Sequence, residues 1–236
     1  MADIVSAAHQ LASGLGRVWF AVGHSQGGQA ALFAAHAAHP PGAQRLGGVV
    51  AVAPASHLEV MLIGVKASHV PGKLSFALYS LAGLAAIDPT DASVSLRTLL
   101  GNAAAATASR VLASCATNSA QVLKDVDTEK MLPLGADHLK RIGERMGAYG
   151  DPDRAPVPVP ALIIQGGADL DVPAAWTNQV VAQLRKLGSP AVLYRTYPGA
   201  GHVQVLGQSL CDLLAFLRTH GGTAQGTCTP VDAGTG

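Results

Sequence analysis

Apolar positions follow two rhythms along the chain. Near both ends, short unbroken apolar runs rich in β-branched residues alternate with longer stretches in which apolar residues recur every three or four positions. The unbroken runs are RVWFAVG (17–23), RLGGVVAVAPA (45–55), ALIIQGGAD (161–169) and AVLYRTYPGAGH (191–202). Runs of this kind predict parallel strands covered on both faces. Between them the helical rhythm predicts IVSAAHQLA (4–12), QGGQAALFAAHAAH (26–39, stopped by Pro40-Pro41), PAAWTNQVVAQLRKLG (173–188, capped by Gly188) and a single last helix, VQVLGQSLCDLLAFLRTHGG (203–222). Strand, helix and strand in succession make right-handed βαβ units.

The alternation lapses from about His57 to Asp153, where LEVMLIGV, KLSFALYSLAGLAAI, SLRTLLGNAAAATASRVLASCATNSAQVL and DHLKRIGERMGAYG all read as helices. A connection between strand and helix usually takes ~2–6 residues, so this stretch is a subdomain. DPDRAPVPVP (151–160), with four prolines, returns the chain to the sheet. The expected organisation is a core of residues 1–56 and 154–222, a helical lid or cap at 57–153, and a flexible small-residue tail at 223–236.

Composition narrows the partners. The 236 residues carry 16 basic and 15 acidic side chains, a net charge of +1, which gives no reason to expect nucleic acid or an anionic membrane surface. Half-apolar composition (49% hydrophobic, 13% charged) is that of a folded α/β core and not of a disordered chain. LSFALYSLAGLAAI, Leu74 to Ile87, is too short to span a bilayer, so no stable membrane insertion is expected. MADIVSAAHQ has Asp3 and no basic segment, and does not read as a signal peptide. Three scattered cysteines, Cys115, Cys211 and Cys228, suit neither a metal site nor a disulfide framework; a Cys211–Cys228 bridge holding the tail stays open.

The candidate chemistry sits at Gly23-His24-Ser25-Gln26-Gly27, where a predicted strand meets a predicted helix. G-x-S-x-G is a weak signal alone, and that junction is the context that strengthens it. A sharp strand-to-helix turn holds the serine in a strained backbone conformation and leaves no room for bulk two positions to either side, a demand that Gly23 and Gly27 meet. Ser25 Oγ is lifted clear of the sheet, and the amide of Gln26 in the first helical turn faces the same spot as an oxyanion donor. The competing structural reading is a glycine-rich turn with an incidental serine. A serine needs a base to take its proton and an acid to orient that base. Of nine histidines, His202 fits, following the last strand and YPGAG. His24 is expected to be locked inside the elbow and to point elsewhere. Asp169, directly after the glycines that end the third strand, is favoured as the acid over Asp171, which could cap the next helix. The order Ser25, Asp169, His202 is that of α/β-hydrolases.

At these residues the chain resembles the α/β-hydrolase superfamily, through GHSQGGQAALFAA, PALIIQGGADLDVP and YPGAGH. The helical insertion is similar to that of secreted lipases and esterases of the lipase-A type. The resemblance implies a truncated α/β-hydrolase fold, a mostly parallel sheet flanked by helices with a large helical lid, and a serine carboxylic ester hydrolase acting on short-to-medium acyl esters. It implies catalytic Ser25, Asp169 and His202, with no metal and no organic cofactor. The relatives are secreted, whereas this sequence shows no export signal, so its localisation stays open.

One departure stands out. The family's elbow follows the fifth of eight strands, and here it follows the first that can be read. The loop that donates the second oxyanion amide is missing with them, and losing one such donor costs roughly 10²–10³ in turnover. A fragment, a minimal enzyme and a degenerate relative are the three explanations. The reading adopted is a compact, active or weakly active form that buries its open sheet edge against another copy. The alternatives are a non-catalytic binding protein on the same fold, and an acyltransferase or peptidase on the same triad.

Overall fold

The computed structural model describes residues 2–36, 44–68, 71–87 and 89–235. The helix stop expected at Pro40-Pro41 lies outside them. In chain order the elements are α1 (Ala2–Leu11), β1 (Val18–His24), α2 (Gln26–His36), β2 (Arg45–Val52), α3 (Leu58–Ser68), α4 (Pro71–Ile87), α5 (Leu96–Leu112), α6 (Ala116–Leu123), α7 (Thr128–Met131), α8 (Ala136–Gly150), β3 (Ala161–Gly166), α9 (Ala174–Lys186), β4 (Val192–Tyr197), α10 (Gln204–Gln208), α11 (Leu210–Thr219) and β5 (Gly234–Thr235). They form two compact units, Met1–Ser56 with Pro152–Gly236, and His57–Asp151.

The first unit is built on one sheet in the order β1-β2-β3-β4-β5. β1 to β4 are parallel, in a register that sets Val22 beside Val50, Ala51 beside Ile163 and Ile164 beside Arg195. β5 closes the far edge as a short antiparallel strand. Because consecutive strand residues face opposite ways, Val49, Ala51 and Ile163 pack with Leu32 of α2 and Val181 and Leu184 of α9. Val50, Val52, Leu162 and Ile164 pack on the other face with Val205 of α10 and Phe216 of α11. Both faces of β2 and β3 are therefore dry, and this is why these two strands read as continuous apolar runs, while β1 and β4 keep Val22 and Leu193 exposed. Burying each such aliphatic side chain contributes roughly 1.5–3 kcal/mol.

Two expectations change at the C-terminal end. The last helix is two, α10 and α11, divided at the fully buried Ser209, whose ψ of 1° takes the backbone out of helical geometry. The segment read as a flexible tail is held at several points. Cys211 and Cys228 form a disulfide, Arg218 donates to the carbonyls of Ala224 and Gly226, and β5 pairs with Arg195 and Thr196. α11 is itself tied to β4, since Tyr197 Oη donates to Asp212 at 2.9 Å. No sequence pattern announced a strand as short as β5.

The second unit is all helical among its described residues. Its core is leucine-rich, with Leu62, Leu74, Leu78, Leu81, Leu99 and Leu123 fully buried. α4 carries small or apolar residues around most of its circumference, as a helix enclosed by others should. α5 is kinked at Gly101, whose φ of 76° and ψ of 167° break the helical ladder. No helix among the described residues is long and apolar enough to cross a membrane.

Candidate active site

The chain turns sharply between β1 and α2 at Ser25. Its φ of 56° lies in the left-handed region, which costs a residue bearing Cβ roughly 1–3 kcal/mol unless its surroundings enforce it. The enforcement is visible in the backbone. Ser25 N–H donates to the carbonyl of Val52 at 2.8 Å, while the Ser25 carbonyl accepts from Gln29 at 3.0 Å and Ala55 at 3.1 Å. The hinge is thereby stitched to the end of β2, the neighbouring strand.

Steric demand on the flanking glycines is one-sided. A Cβ on Gly23 would collide with the backbone carbonyl of Gly27, whereas a Cβ on Gly27 would meet nothing within 4 Å. The expectation that both positions must be small holds for Gly23 alone. The turn folds residue 23 against the start of α2 and leaves the Cβ direction of residue 27 open. Gln26 is the first residue of α2. Amides in an opening turn have no intrahelical acceptor, so the helix start faces outward with donors and partial positive charge.

His202 and Asp169 come from two different strand ends. Asp169 follows β3 and its glycine turn, and its side chain is completely buried. A Cβ on Gly166 would run into the carbonyl of Ala200, which shows how closely this turn approaches the loop bearing His202. His202 Nδ1 lies 2.7 Å from Asp169 Oδ2. Since a carboxylate can only accept, Nδ1 carries the proton and Nε2 presents a lone pair. The His202 side chain is 13% exposed.

Asp169 is saturated with donors. Oδ1 accepts from the amides of Asp171 at 2.9 Å and Val172 at 2.8 Å, and Oδ2 accepts from His202 and from Gln165 Nε2 at 3.1 Å. Burial by itself would raise the carboxyl's pKa, but the hydrogen bonds from His202 and Val172 outweigh it and hold Asp169 below its ordinary value. Asp171 does not cap α9. Pro173 stands at that position, and the amide of Asp171 is spent on Asp169.

Two participants escaped the reading of the sequence. Gln165, fully buried in β3, donates to Asp169 Oδ2 and to the carbonyls of Gly166 and Val172, and accepts from Thr177 Oγ1 at 2.6 Å. A polar residue inside the otherwise apolar ALIIQG strand was the available signal. His24 was expected to point elsewhere, and it does not. Its Nε2 lies 2.9 Å from the His202 carbonyl oxygen, and the two rings are 4.5 Å apart with a 46° tilt. Fixing the Ser25 turn against β2 brings the last residue of β1 beside the histidine loop.

Asp169, Asp171 and His202 offer ligand atoms within 4.8 Å of one another. Two of these three groups are bonded to each other at 2.7 Å, and Asp169 Oδ1 already holds two backbone amides. The donor set is that of an oriented imidazole more than of an open cation cage.

A strained serine between strand and helix, with an acid and a histidine carried by later strand ends, is the arrangement of a hydrolase built on a parallel α/β sheet. The chain belongs to the alpha/beta hydrolase family, whose model matches residues 1–209. No curated protein matches the sequence. Among solved structures, it is similar to a candidate hydrolase from Legionella pneumophila (15% identity, TM-score 0.70), covering 95% of this chain and 63% of that one. It is also similar to the rice cell wall degrading esterase LipA from Xanthomonas oryzae (14% identity, TM-score 0.67), covering 92% of this chain and 61% of that one. Candida antarctica lipase A in its closed state gives 18% identity and a TM-score of 0.64, covering 96% of this chain and 55% of that one. At such identities the likeness is one of fold, and the chain spans about three fifths of the length of these structures.

Proposed function

We propose that the protein is a serine carboxylic ester hydrolase that cleaves short-to-medium acyl esters through Ser25, His202 and Asp169. The observation that carries this reading is the 2.7 Å contact between His202 Nδ1 and the buried Asp169, on strand ends that follow the left-handed Ser25 hinge. The esterase and lipase among structures of similar fold support the same chemistry. In this mechanism Asp169 holds the Nδ1–H tautomer and His202 Nε2 takes the proton of Ser25 as Oγ attacks the ester carbonyl. The amide of Gln26 stabilises the oxyanion. His202 then protonates the leaving alcohol and activates water to release the acid. Residues 57–153 take the role of lid and acyl wall on the strength of the resemblance to lipase-A-type enzymes.

Hydrolysis of p-nitrophenyl butyrate tests the reading. Wild type is expected to exceed Ser25→Ala by roughly 10⁴-fold or more, and a fluorophosphonate is expected to label Ser25. Equal rates in both proteins, with Ser25 unlabelled, favour the second reading, a binding module on a hydrolase fold. The sheet order supplies the observation behind that alternative, because β1 stands at the sheet's end and no described strand pairs with its other side. Pairing of that edge with a second copy is part of the proposal, and a strict monomer by light scattering at micromolar concentration would rule it out.

A further inference from the structure

Ser25 and His202 are held by elements that are not neighbours. Ser25 follows β1, His202 follows β4, and β2 and β3 stand between these strands. A base must nevertheless meet its nucleophile within a few tenths of an ångström, and a misplacement of 1 Å can cost ~10² in rate. The His24 side chain spans this gap. It is covalently next to Ser25, and its Nε2 reaches the backbone oxygen of His202 across 178 residues of sequence. A carbonyl can only accept, so Nε2 is the protonated nitrogen of His24.

The ring has a second property. Burial lowers the pKa of His24. The hydrogen bond to the His202 carbonyl and the carboxylate of Asp169 oppose that shift, and the neighbouring His202 ring adds to it. A cationic His24, its ring 4.5 Å from that of His202, would penalise the imidazolium that acyl transfer requires. A neutral donor suits the position.

We propose that His24 is a positioning residue, whose Nε2–H bond to the His202 carbonyl sets the separation between the base and the Ser25 turn. The inference rests on the serine-hydrolase reading. It goes beyond the triad by assigning work to a side chain that the elbow motif leaves free to vary.

The test is the second-order rate of fluorophosphonate labelling at Ser25, with thermal unfolding measured in parallel. His24→Leu keeps bulk and removes the donor, and labelling is expected to slow by roughly 10–100-fold. His24→Gln places an amide nitrogen at about the reach of Nε2 and is expected to stay within about threefold of wild type. His24→Asn keeps an amide on a shorter stem and is expected to resemble the leucine variant. Should His24→Leu fail to fold, the Gln and Asn pair carries the same contrast. Equal labelling rates in all variants overturn the inference alone. So does equal slowing in Gln, Asn and Leu, which would mark His24 as packing only. An unlabelled Ser25 in wild type overturns the serine-hydrolase reading, and this inference with it.

Discussion

In the β/α unit three buried polar side chains, Thr177, Gln165 and Asp169, meet one another. Thr177 bonds to Gln165, Gln165 to Asp169, and Asp169 to His202, so that a chain of contacts from α9 through β3 ends on a single imidazole. In the helical unit the polar ties run from segment to segment. Lys66 of α3 donates to the carbonyls of Leu132 and Leu134, Asp151 accepts from the amide of Leu58, and Arg145 of α8 pairs with Asp91. The helical unit uses polar groups as staples around a leucine core, and a staple can move or be replaced while the core persists. The β/α unit gathers them around one side chain, and in the mechanism proposed above a shift of an ångström at that imidazole changes the rate.

That contrast can be broken at four strengths. Asp169→Asn is the severest. The Asn amide cannot hold the Nδ1–H tautomer, and ester hydrolysis is expected to fall by roughly 10⁴-fold with circular dichroism little changed. A variant that keeps more than a tenth of wild-type turnover would remove Asp169 from the mechanism. Leu78→Ala attacks the other unit. Its site is fully enclosed by the helical core, and urea denaturation should show a loss of about 2–5 kcal/mol.

Gln165→Leu comes third. It strips one donor from Asp169 and leaves Thr177 facing an apolar group. At about 1–3 kcal/mol for an orphaned buried polar group, urea denaturation should show a loss of that size. The pH dependence has a defined sign. Asp169 is held below its ordinary value, so the stability it contributes is complete above about pH 4 and is lost as pH falls through the lowered value. The Gln165 Nε2–H bond to Oδ2 favours the ionised carboxylate, so acid unfolding should begin at a higher pH in Gln165→Leu than in wild type. Coincident acid unfolding curves would show that Gln165 does not stabilise the carboxylate. Arg145→Met is the mildest. Its 2.8 Å pair with Asp91 is partly solvent-exposed, and a loss of at most about 1 kcal/mol is expected in the same denaturation experiment.

Much of this was legible along the chain. Apolar runs mark β1 to β4, most plainly β2 and β3, whose two faces are both dry. The Ser25 hinge is written locally, in a strand that meets a helix with Gly23 placed where only hydrogen fits. Asp169 and His202 could be proposed because a parallel sheet collects the ends of its strands along one edge. Tertiary structure decided what depends on distance in sequence. The position of His24 against His202 follows from the stitching of Ser25 to β2 and cannot be read from the motif that contains it. Gln165 looks like a polar interruption of a strand until folding surrounds it with Asp169, Thr177 and the carbonyl of Val172. β5 pairs with Arg195 and Thr196 of β4, in a segment whose Cys228 is also tied to Cys211 of α11, a meeting of residues far apart in sequence. Local sequence sets which backbone shapes are affordable, and the closing of the sheet sets which side chains meet.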